Sequence, residues 1–344
     1  PRYRGASILL ASENFDHTCT TTDGVNWQTF RLSGIARFED VIWSPPSPDH
    51  PDGRFLAVGW HDDPTGAALA TSSDGLTWAV QKIFPGVRLF GVTTTSFGFI
   101  AVGHNSDTSK FVSILSVDGD NWSYHPSSLY GWWFQKVAWK GERLVATSDT
   151  NLYASTDGVS WTDVGPGDVH YLSEFYDIAT DGADFVAVQD DEDRLAHIWT
   201  SPDGLTWNHE IGPLRLSPRA IEYIGGRFLI SGAANSYMPG GQFEPAGMLW
   251  FSFDEPLAWP DLSEVQSSWY SGTTLMGERI VAVDYYGYTA SVDLPPKPIS
   301  SWIDGPTIGC VGDTGILSTL PALSEVHWST EEISDSISIP FTDS

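Results

Sequence analysis

The octapeptide "TSSDGLTW" at residues 71–78 returns almost unchanged as "TSPDGLTW" at residues 200–207. Three shorter copies keep the same frame of a hydroxyl residue, Asp-Gly and Trp. They are "TTDGVNW" at 21–27, "SVDGDNW" at 116–122 and "STDGVSW" at 155–161. A turn that occurs five times in one chain indicates a repeated structural unit rather than an isolated loop.

The aspartates of these copies, and of two degenerate ones, give the length of the unit. They are Asp23, Asp74, Asp118, Asp157, Asp203, Asp254 and Asp293. Neighbouring members are separated by 39 to 51 residues, with a mean of 45, which is the length of a propeller blade and exceeds ankyrin or TPR repeats. Short apolar runs around each turn predict four strands per unit, A to D, with the Asp-Gly turn between C and D. No long segment has a 3.6-residue apolar period, so helices should be scarce.

The residue types of the turn explain why it recurs. The Asp carboxylate can accept hydrogen bonds from backbone N–H groups of its own turn, and Gly supplies a positive φ angle. The Trp begins strand D and can cover the turn with a large apolar surface. The pairs are Asp23 with Trp27, Asp74 with Trp78, Asp118 with Trp122, Asp157 with Trp161 and Asp203 with Trp207. We expect these residues to fasten hairpins and to contact no ligand.

These turns resemble the Asp-box (BNR-type) repeats of β-propellers, which occur in sialidases and in many non-enzymatic propellers. The usual box is one residue longer between Asp and Trp. The resemblance covers roughly residues 5–300 and implies an architecture, not an activity. The sialidase Arg-Ile-Pro and Glu-Gly-Arg segments have no counterpart in this chain, so no catalytic residue is assigned.

The chain begins inside a unit, with "ASILLAS" at 6–12 as strand B and the first Asp-Gly turn after strand C. The missing strand A is predicted at "TIGCVGD", residues 307–313, so that the two chain ends share one blade and close the ring. The sequence therefore predicts an all-β, seven-bladed propeller of four-stranded antiparallel blades over 1–314. Residues 315–344 would form a C-terminal tail or an extra hairpin, and eight blades remain the alternative.

In that arrangement Cys19 and Cys310 lie on strands C and A of the same blade. Strand B separates them by about 9.5 Å, which exceeds the reach of a disulfide. We expect two free thiols, with a Cys19–Cys310 bridge as the alternative, and two cysteines leave the redox compartment undetermined.

Composition limits the classes of partner. With 44 acidic against 17 basic residues the net charge is −27, which disfavours binding to nucleic-acid backbones and to anionic membrane surfaces. No apolar stretch is long enough for a transmembrane helix, and no signal peptide is visible. No nucleophile elbow, Walker loop or paired histidine spacing for zinc occurs, so we expect no cofactor.

A–B and C–D turns of a propeller share one face, here called the turn face, and B–C and D–A loops share the other, the loop face. Arg54, Arg143, Arg227 and Arg279 are expected on the turn face as solvent-exposed or ion-paired residues. The candidate ligand-binding residues of the loop face are Arg37, Arg88, Arg219, Asp62, Trp132, Trp133 and Tyr171. Arg37 and Arg88 lie at equivalent positions of neighbouring units, so they could hold an anion together, while the aromatics suit a sugar or peptide.

A calcium ion could be held by Asp190, Asp191 and Asp193, although a solvated acidic loop is the simpler interpretation. No other metal is expected.

The sequence favours a non-enzymatic propeller that binds a protein or glycan partner on its loop face or serves as an assembly scaffold. Short boxes of this kind are similar to those of bacterial surface proteins and of phage virion or tail-associated proteins, which favours a virion or cell-surface location. The alternatives are a glycan-binding lectin and a glycoside hydrolase, sialidase-like, using Asp62 with Glu174 or Asp190 as paired carboxylates.

Overall fold

The computed structural model describes 19 segments of the chain. They are residues 8–11, 18–21, 26–30, 35, 37–48, 50–61, 66–130, 134–165, 174–191, 196–211, 216–224, 226–237, 243–251, 270–276, 279–284, 289–293, 302–304, 314–320 and 336–340. Every regular element in these segments is a β-strand. The chain divides into two compact units, Pro1–Leu294 and Pro295–Ser344. No helix among the described residues is long and apolar enough to span a membrane.

The first unit contains seven antiparallel sheets among its described residues, numbered here in chain order. Sheet 1 has β1 (Ile8–Ala11), β2 (Thr18–Thr21) and β3 (Trp27–Phe30). Sheet 2 has β4 (Arg37–Ser44), β5 (Arg54–Trp60), β6 (Gly66–Ser72) and β7 (Ala79–Pro85). Sheet 3 has β8 (Val87–Thr95), β9 (Gly98–Asn105), β10 (Lys110–Ser116) and β11 (Ser123–Tyr130). Sheet 4 has β12 (Phe134–Lys140), β13 (Arg143–Ser148), β14 (Leu152–Ser155) and β15 (Thr162–Asp163).

The later sheets follow the same order along the chain. Sheet 5 has β16 (Glu174–Thr180), β17 (Phe185–Asp190), β18 (Ala196–Ser201) and β19 (Asn208–Ile211). Sheet 6 has β20 (Leu216–Ile224), β21 (Arg227–Tyr237) and β22 (Phe243–Phe251), and sheet 7 has β23 (Tyr270–Met276), β24 (Arg279–Asp284) and β25 (Thr289–Asp293). The second unit holds one described sheet, with β26 (Trp302–Asp304), β27 (Thr314–Leu320) and β28 (Ser336–Pro340).

Sheets 2 to 5 are four-stranded meanders in which each strand pairs with the next along the chain, as the repeat predicts. Among the described residues, sheet 1 consists of the strands predicted as B, C and D. The segment predicted to supply its strand A, residues 307–313 with Cys310, lies outside the described residues. Ring closure by the chain ends, the count of seven blades, the boundary at residue 314 and the free thiols therefore stay predictions.

The first strand of each sheet packs beside the first strand of the next. β4 contacts β8, β8 contacts β12, β12 contacts β16, β16 contacts β20 and β20 contacts β23. This serial contact of inner strands is what blades arranged around an axis require.

The core lies between adjacent sheets, so each sheet is apolar on both faces. Leu56 and Val58 of sheet 2, which are almost fully buried, pack in one cluster with Val92 and Val112 of sheet 3. Between sheets 3 and 4, the rings of Phe111 and Phe134 stack with centroids 4.1 Å apart. A strand covered on both sides reads as a continuous apolar run, which explains "RFLAVGW" in β5.

The four described Asp-Gly turns between strands C and D share one hydrogen-bond pattern. The Ser two residues before each Asp donates its Oγ–H to Oδ1 of that Asp at 3.0–3.1 Å. The Gly N–H donates to the same Ser Oγ at 2.8 Å. Oδ1 also accepts the N–H groups two and three residues further on, at 2.7–2.9 Å. Each Gly has φ between 70° and 78°, a region that glycine occupies without strain.

These turns also connect one sheet to the sheet before it. A Cβ added at Gly158 of sheet 4 would lie 2.6 Å from Ile100 of sheet 3. The indole Nε1–H of Trp161 donates to Ser113 Oγ of sheet 3 at 2.9 Å. Trp122 of sheet 3, only 6% exposed, joins the cluster with Leu56 of sheet 2. The box therefore closes its own hairpin and packs against the preceding sheet.

Arg54 shows that A–B and C–D turns share a face, as predicted. It begins strand B of sheet 2, and its guanidinium donates to Asp120 Oδ1 at 2.6 Å and to the Asp118 carbonyl at 2.7 Å. Both acceptors belong to the box of sheet 3. Arg54 is 6% exposed, so it is a buried ion-pair residue rather than a solvated one.

Candidate functional site

The inner strands carry a bulge that changes the direction of their side chains near the loop face. The register with strand B shifts between Phe38 and Asp40 in sheet 2, between Leu89 and Gly91 in sheet 3, and between Phe175 and Asp177 in sheet 5. A bulge bends its strand and turns neighbouring side chains towards one side. Around each bulge the side chains, many of them charged, no longer alternate between the two faces of the sheet as they do in a regular strand.

Arg37, Trp60 and Arg88 form the first group on the loop face, here called the arginine–tryptophan platform. Arg37 opens β4 and pairs across the sheet with Trp60 at the end of β5. Arg88, on β8 of the next sheet, lies over the same indole. The guanidinium carbons of Arg37 and Arg88 are 5.5 Å and 4.6 Å from the Trp60 ring centroid, which is within cation–π range.

The charge of this platform comes from its arginines. Glu39 Oε1 lies 2.8 Å from Nη2 of Arg37, so the charge of Arg37 is already partly neutralised. Burial raises the pKa of Glu39, and Arg37 opposes that shift. Burial and the nearby Arg88 lower the pKa of His104 to about 4, so this imidazole is neutral at neutral pH. Arg88 forms no ion pair with the residues described here. Within the described part of the platform, the charge of Arg88 is therefore available to an anion.

Acidic groups occupy the loop-face ends of sheets 4 and 5. Asp190, 9% exposed, accepts a 2.6 Å hydrogen bond from Ser217 Oγ of sheet 6. Burial raises the pKa of Asp190, and the charges of Glu174 and Asp191 add to that effect, against Ser217 and Arg219. Burial, together with Glu174, also raises the pKa of Asp149. The described part of the loop face thus has a basic side on sheets 2 and 3 and an acidic side on sheets 4 and 5.

Arg219 stacks on a different ring from the other two candidate arginines. Its guanidinium carbon lies 4.1 Å from the centroid of Tyr176. Burial raises the pKa of the Tyr176 phenol, and Asp190 and Glu174 raise it further, against Arg219. The phenol therefore stays protonated at neutral pH.

Below these groups, Lys136 forms a bridge between inner strands. It belongs to sheet 4, yet its ammonium donates to the carbonyls of Glu39 in sheet 2 and Phe90 in sheet 3, at 3.0 and 3.1 Å. Asp40 Oδ2 is 3.7 Å away. Burial lowers the pKa of Lys136, but Asp40, Asp177 and Glu39 outweigh it, so the net shift is upward and the amine stays charged.

Asp40 and Asp177 occupy equivalent positions and make equivalent contacts. Asp40 accepts the N–H of Val41 at 2.9 Å and that of Val92 in the next sheet at 3.0 Å. Asp177 accepts Ile178 N–H at 2.7 Å and Ile221 N–H of the next sheet at 2.9 Å. Burial raises the pKa of Asp177 to about 7, although Lys136 and both N–H groups oppose this.

Sequence reasoning missed this network of Asp40, Lys136 and Asp177. When the inner strands are aligned on Phe38, Phe134 and Phe175, the position two residues later is Asp40, Lys136 and Asp177. The recurrence of a charged residue at this position was the signal available in the sequence.

Several predicted residues lie outside the described part: Asp62, Trp132, Trp133, Tyr171, Asp193, Asp23 and the side chain of Trp27. Among the described residues no group of three or more His, Cys, Asp and Glu has metal-ligand geometry. Asp190 bonds to Ser217, and Asp191 Oδ2 lies 3.0 Å from His197 Nε2. The calcium site over 190–193 stays a prediction.

No protein-family model matches the chain, and no curated protein matches its sequence. Solved structures do resemble it. "YCF48 bound to D1 peptide" has a TM-score of 0.55 and 13% identity, covering 100% of this chain and 98% of its own. The Pan2 WD40 domain of Neurospora crassa has a TM-score of 0.56 and 9% identity, covering 86% and 87%. An ancestral GH74 enzyme has a TM-score of 0.50 and 11% identity, covering 93% of this chain and 51% of its own.

At these identities the likeness shows the fold alone. Together with the serial contacts of the inner strands, it shows an all-β propeller built from antiparallel blades.

Proposed function

We propose that this chain is a non-enzymatic propeller whose loop face binds a protein or peptide partner, with the arginine–tryptophan platform contacting an acidic group of that partner. The observation that carries the proposal is that the guanidinium groups of Arg37 and Arg88 both lie against the Trp60 ring, in a chain of net charge −27. An aromatic ring that holds an arginine in place keeps its N–H fork free for a carboxylate. YCF48, one of the similar structures, is bound to a D1 peptide, which agrees with a peptide-binding use of this fold.

The turns that fasten the blades support a scaffold role. Their side chains bond to their own hairpins or to neighbouring sheets, as Arg54 does with Asp118 and Asp120, so a rigid support lies beneath a chemically varied loop face. We further propose, from the Asp-box resemblance, that this scaffold belongs to a larger particle such as a virion or a cell-surface assembly. Sedimentation of the purified protein with its native assembly tests that part.

Selection from a random peptide library, with the purified chain as bait, tests partner binding. Selected peptides should be rich in Asp and Glu or depend on a free C-terminal carboxylate. Their affinity should fall at least about tenfold, roughly 1.4 kcal/mol, in Arg88→Ala, because charge-assisted bonds are the strong ones. Arg143→Ala on the turn face is the matched control and should bind as the wild type does. Equal affinity of Arg88→Ala and wild type for every selected peptide would exclude the platform.

A glycoside hydrolase remains the second candidate, because Asp190 has a raised pKa beside Glu174. Glycosidases use two neighbouring carboxyl groups, one of them with a raised pKa, and Glu174 lies opposite Asp190 in the β16–β17 pair. Turnover of fluorogenic sialosides and aryl glycosides by wild type, and its loss in Asp190→Asn, would favour this activity over a binding scaffold.

A further inference from the structure

Sheet 3 differs from sheet 2 at the place where its A–B turn meets the box of the next sheet. In sheet 2 this place is held by Arg54, whose guanidinium donates to Asp120 Oδ1 of sheet 3 at 2.6 Å. In the register of strands A and B, Gly98 of sheet 3 takes the position of Arg54. In the box of sheet 4, Val159 takes the position of Asp120. A glycine and an apolar residue thus replace this ion pair where sheet 3 meets sheet 4.

Apolar side chains lie exposed at this junction on the turn face. Phe97 is 36% exposed, Val159 38% and Val117 85%. The ring of Phe97 makes a T-shaped contact with Trp139 of sheet 4, with centroids 5.4 Å apart. A Cβ added at Gly98 would lie 2.8 Å from Cα of Val117, so the turn that carries Phe97 adjoins Val117.

Val159 adds to this surface from the box of sheet 4. Gly158, the residue before it, packs against sheet 3, where an added Cβ would lie 2.6 Å from Ile100 and 3.4 Å from Leu115. Val159 therefore lies beside the same end of sheet 3 as the other exposed side chains. The members of this surface, here called the turn-face patch, are Phe97, Val117, Trp139 and Val159.

The turns do not require apolar side chains at these positions. Ser73 in sheet 2 and Thr156 in sheet 4 take the position of Val117, and the boxes of all three sheets make the same Ser-to-Asp hydrogen bond. Asp120 in sheet 3 takes the position of Val159. An exposed apolar cluster that the fold does not need is typical of a surface that a partner covers.

Carboxylates flank the patch. Asp118 and Asp157 belong to its two boxes, and Glu142 is exposed on the A–B turn of sheet 4. Hydrogen bonds from Asn121 hold the pKa of Asp118 well below its ordinary value. Burial raises the pKa of Asp157, but hydrogen bonds within its own turn outweigh burial and lower it, so both carboxylates are ionised at neutral pH. Lys140 of sheet 4 already donates to two backbone carbonyls of the turns of sheet 5.

We propose that the turn-face patch binds a basic segment of a protein partner, in which apolar side chains lie between Lys or Arg residues. The apolar side chains of that segment pack on Phe97 and Val117, and its cationic groups lie near Asp118 and Asp157, so burial and charge favour the same partner. A second copy of this chain is disfavoured as the occupant, because two chains of net charge −27 repel each other.

Selection from a random peptide library tests this surface, with the Arg88→Ala chain as bait so that the platform does not select the peptides. We expect the selected peptides to combine Lys or Arg with aliphatic or aromatic residues, and to bind more weakly at higher ionic strength. Their affinity, measured by calorimetry, should fall at least about tenfold when Phe97→Ser and Val117→Ser are added to the bait, because apolar contact area is lost.

Leu205→Ser in the same bait is the matched control. Leu205 lies in the box of sheet 5 and is 45% exposed, so it is an exposed aliphatic residue of the turn face outside the patch. Its replacement should leave the affinity of the selected peptides unchanged.

Three results would overturn the proposal: no peptide selected above background, selected peptides without basic residues, or equal affinity of the bait with and without the two patch substitutions. Dimerisation of the wild type in sedimentation experiments, abolished by the two substitutions, would assign the patch to a second copy instead. Both substituted side chains are exposed, so the fold should be retained, which circular dichroism checks. The patch lies on the turn face, so its failure would leave the proposed function of the loop face untouched.

Discussion

The turn face and the loop face of this propeller use polar residues in opposite ways. On the turn face each Asp of a described box accepts hydrogen bonds from its own turn, and Arg54 pairs with the next sheet. On the loop face, Arg88 packs on Trp60 without a carboxylate partner among the described residues. Polar groups that satisfy one another stabilise the fold, whereas groups held in place but left available can bind a partner. Four predictions test this contrast.

The largest expected effect is on the turn face. Trp122→Ala should lower the free energy of unfolding by about 3–5 kcal/mol, because a buried indole between two sheets leaves a cavity. Trp60→Ala on the loop face should cost clearly less, since Trp60 is only half-buried. Urea denaturation of both variants measures the difference. Equal losses would show that the loop-face indole is as structural as the box indole.

The second prediction concerns Asp177 in the network of inner strands. Its folded pKa of about 7 lies above its unfolded value, so its contribution to stability is fully present below about pH 4 and is lost as the pH rises to about 7. Asp177→Asn should remove that part of the pH dependence. Denaturation midpoints at about pH 5 and about pH 8 show whether the wild-type difference shrinks in the variant. An unchanged difference would mean that other groups cause it.

The third prediction has the opposite sign. Backbone hydrogen bonds from Thr206 and Leu205 lower the pKa of Asp203 to about 2. Its stabilising contribution is present above about pH 4 and is lost as the pH falls towards about 2. Asp203→Asn should be less stable than wild type at neutral pH and should show a shallower acid transition by tryptophan fluorescence. Asp184→Asn, which changes a half-buried acid outside the box, is the control, and matching acid curves for all three proteins would contradict the assignment.

The smallest expected effect on stability is at the platform. Arg88→Ala should change the free energy of unfolding by no more than about 0.5 kcal/mol, as for most surface substitutions, while weakening peptide binding as described above. Thermal unfolding measures the first quantity. A loss of several kcal/mol would place Arg88 with the structural residues.

The repeat unit and its strands could be predicted from the sequence because each copy of the turn is stabilised by residues next to one another in the chain. Ser72, Asp74 and Gly75 satisfy one another locally, so their pattern survives without knowledge of the fold. Arg37 and Arg88 could be placed on neighbouring inner strands because each lies four residues before an equivalent valine, Val41 or Val92.

What the sequence did not reveal depends on contacts between sheets. Lys136 reaches two carbonyls that precede it by 97 and 46 residues, and no local pattern encodes that reach. The turn-face patch was missed for a similar reason, because Phe97 of sheet 3 and Trp139 of sheet 4 come into contact only when the two sheets pack together. The bulge that sets the direction of the inner-strand side chains also has no residue type of its own.

The Asp-Gly turns of sheets 3, 4 and 5 each pack against the preceding sheet, so neighbouring blades are joined in one direction along the chain. Gly158 fits against Ile100, and Gly204 fits against Val145, so these blades have a turn that contacts the preceding blade and a surface that receives the turn of the next one. Gene duplication of a complete blade copies both contact surfaces together. A repeat of this kind can therefore gain or lose blades without a new interface, which is a simple route to propellers with different numbers of blades.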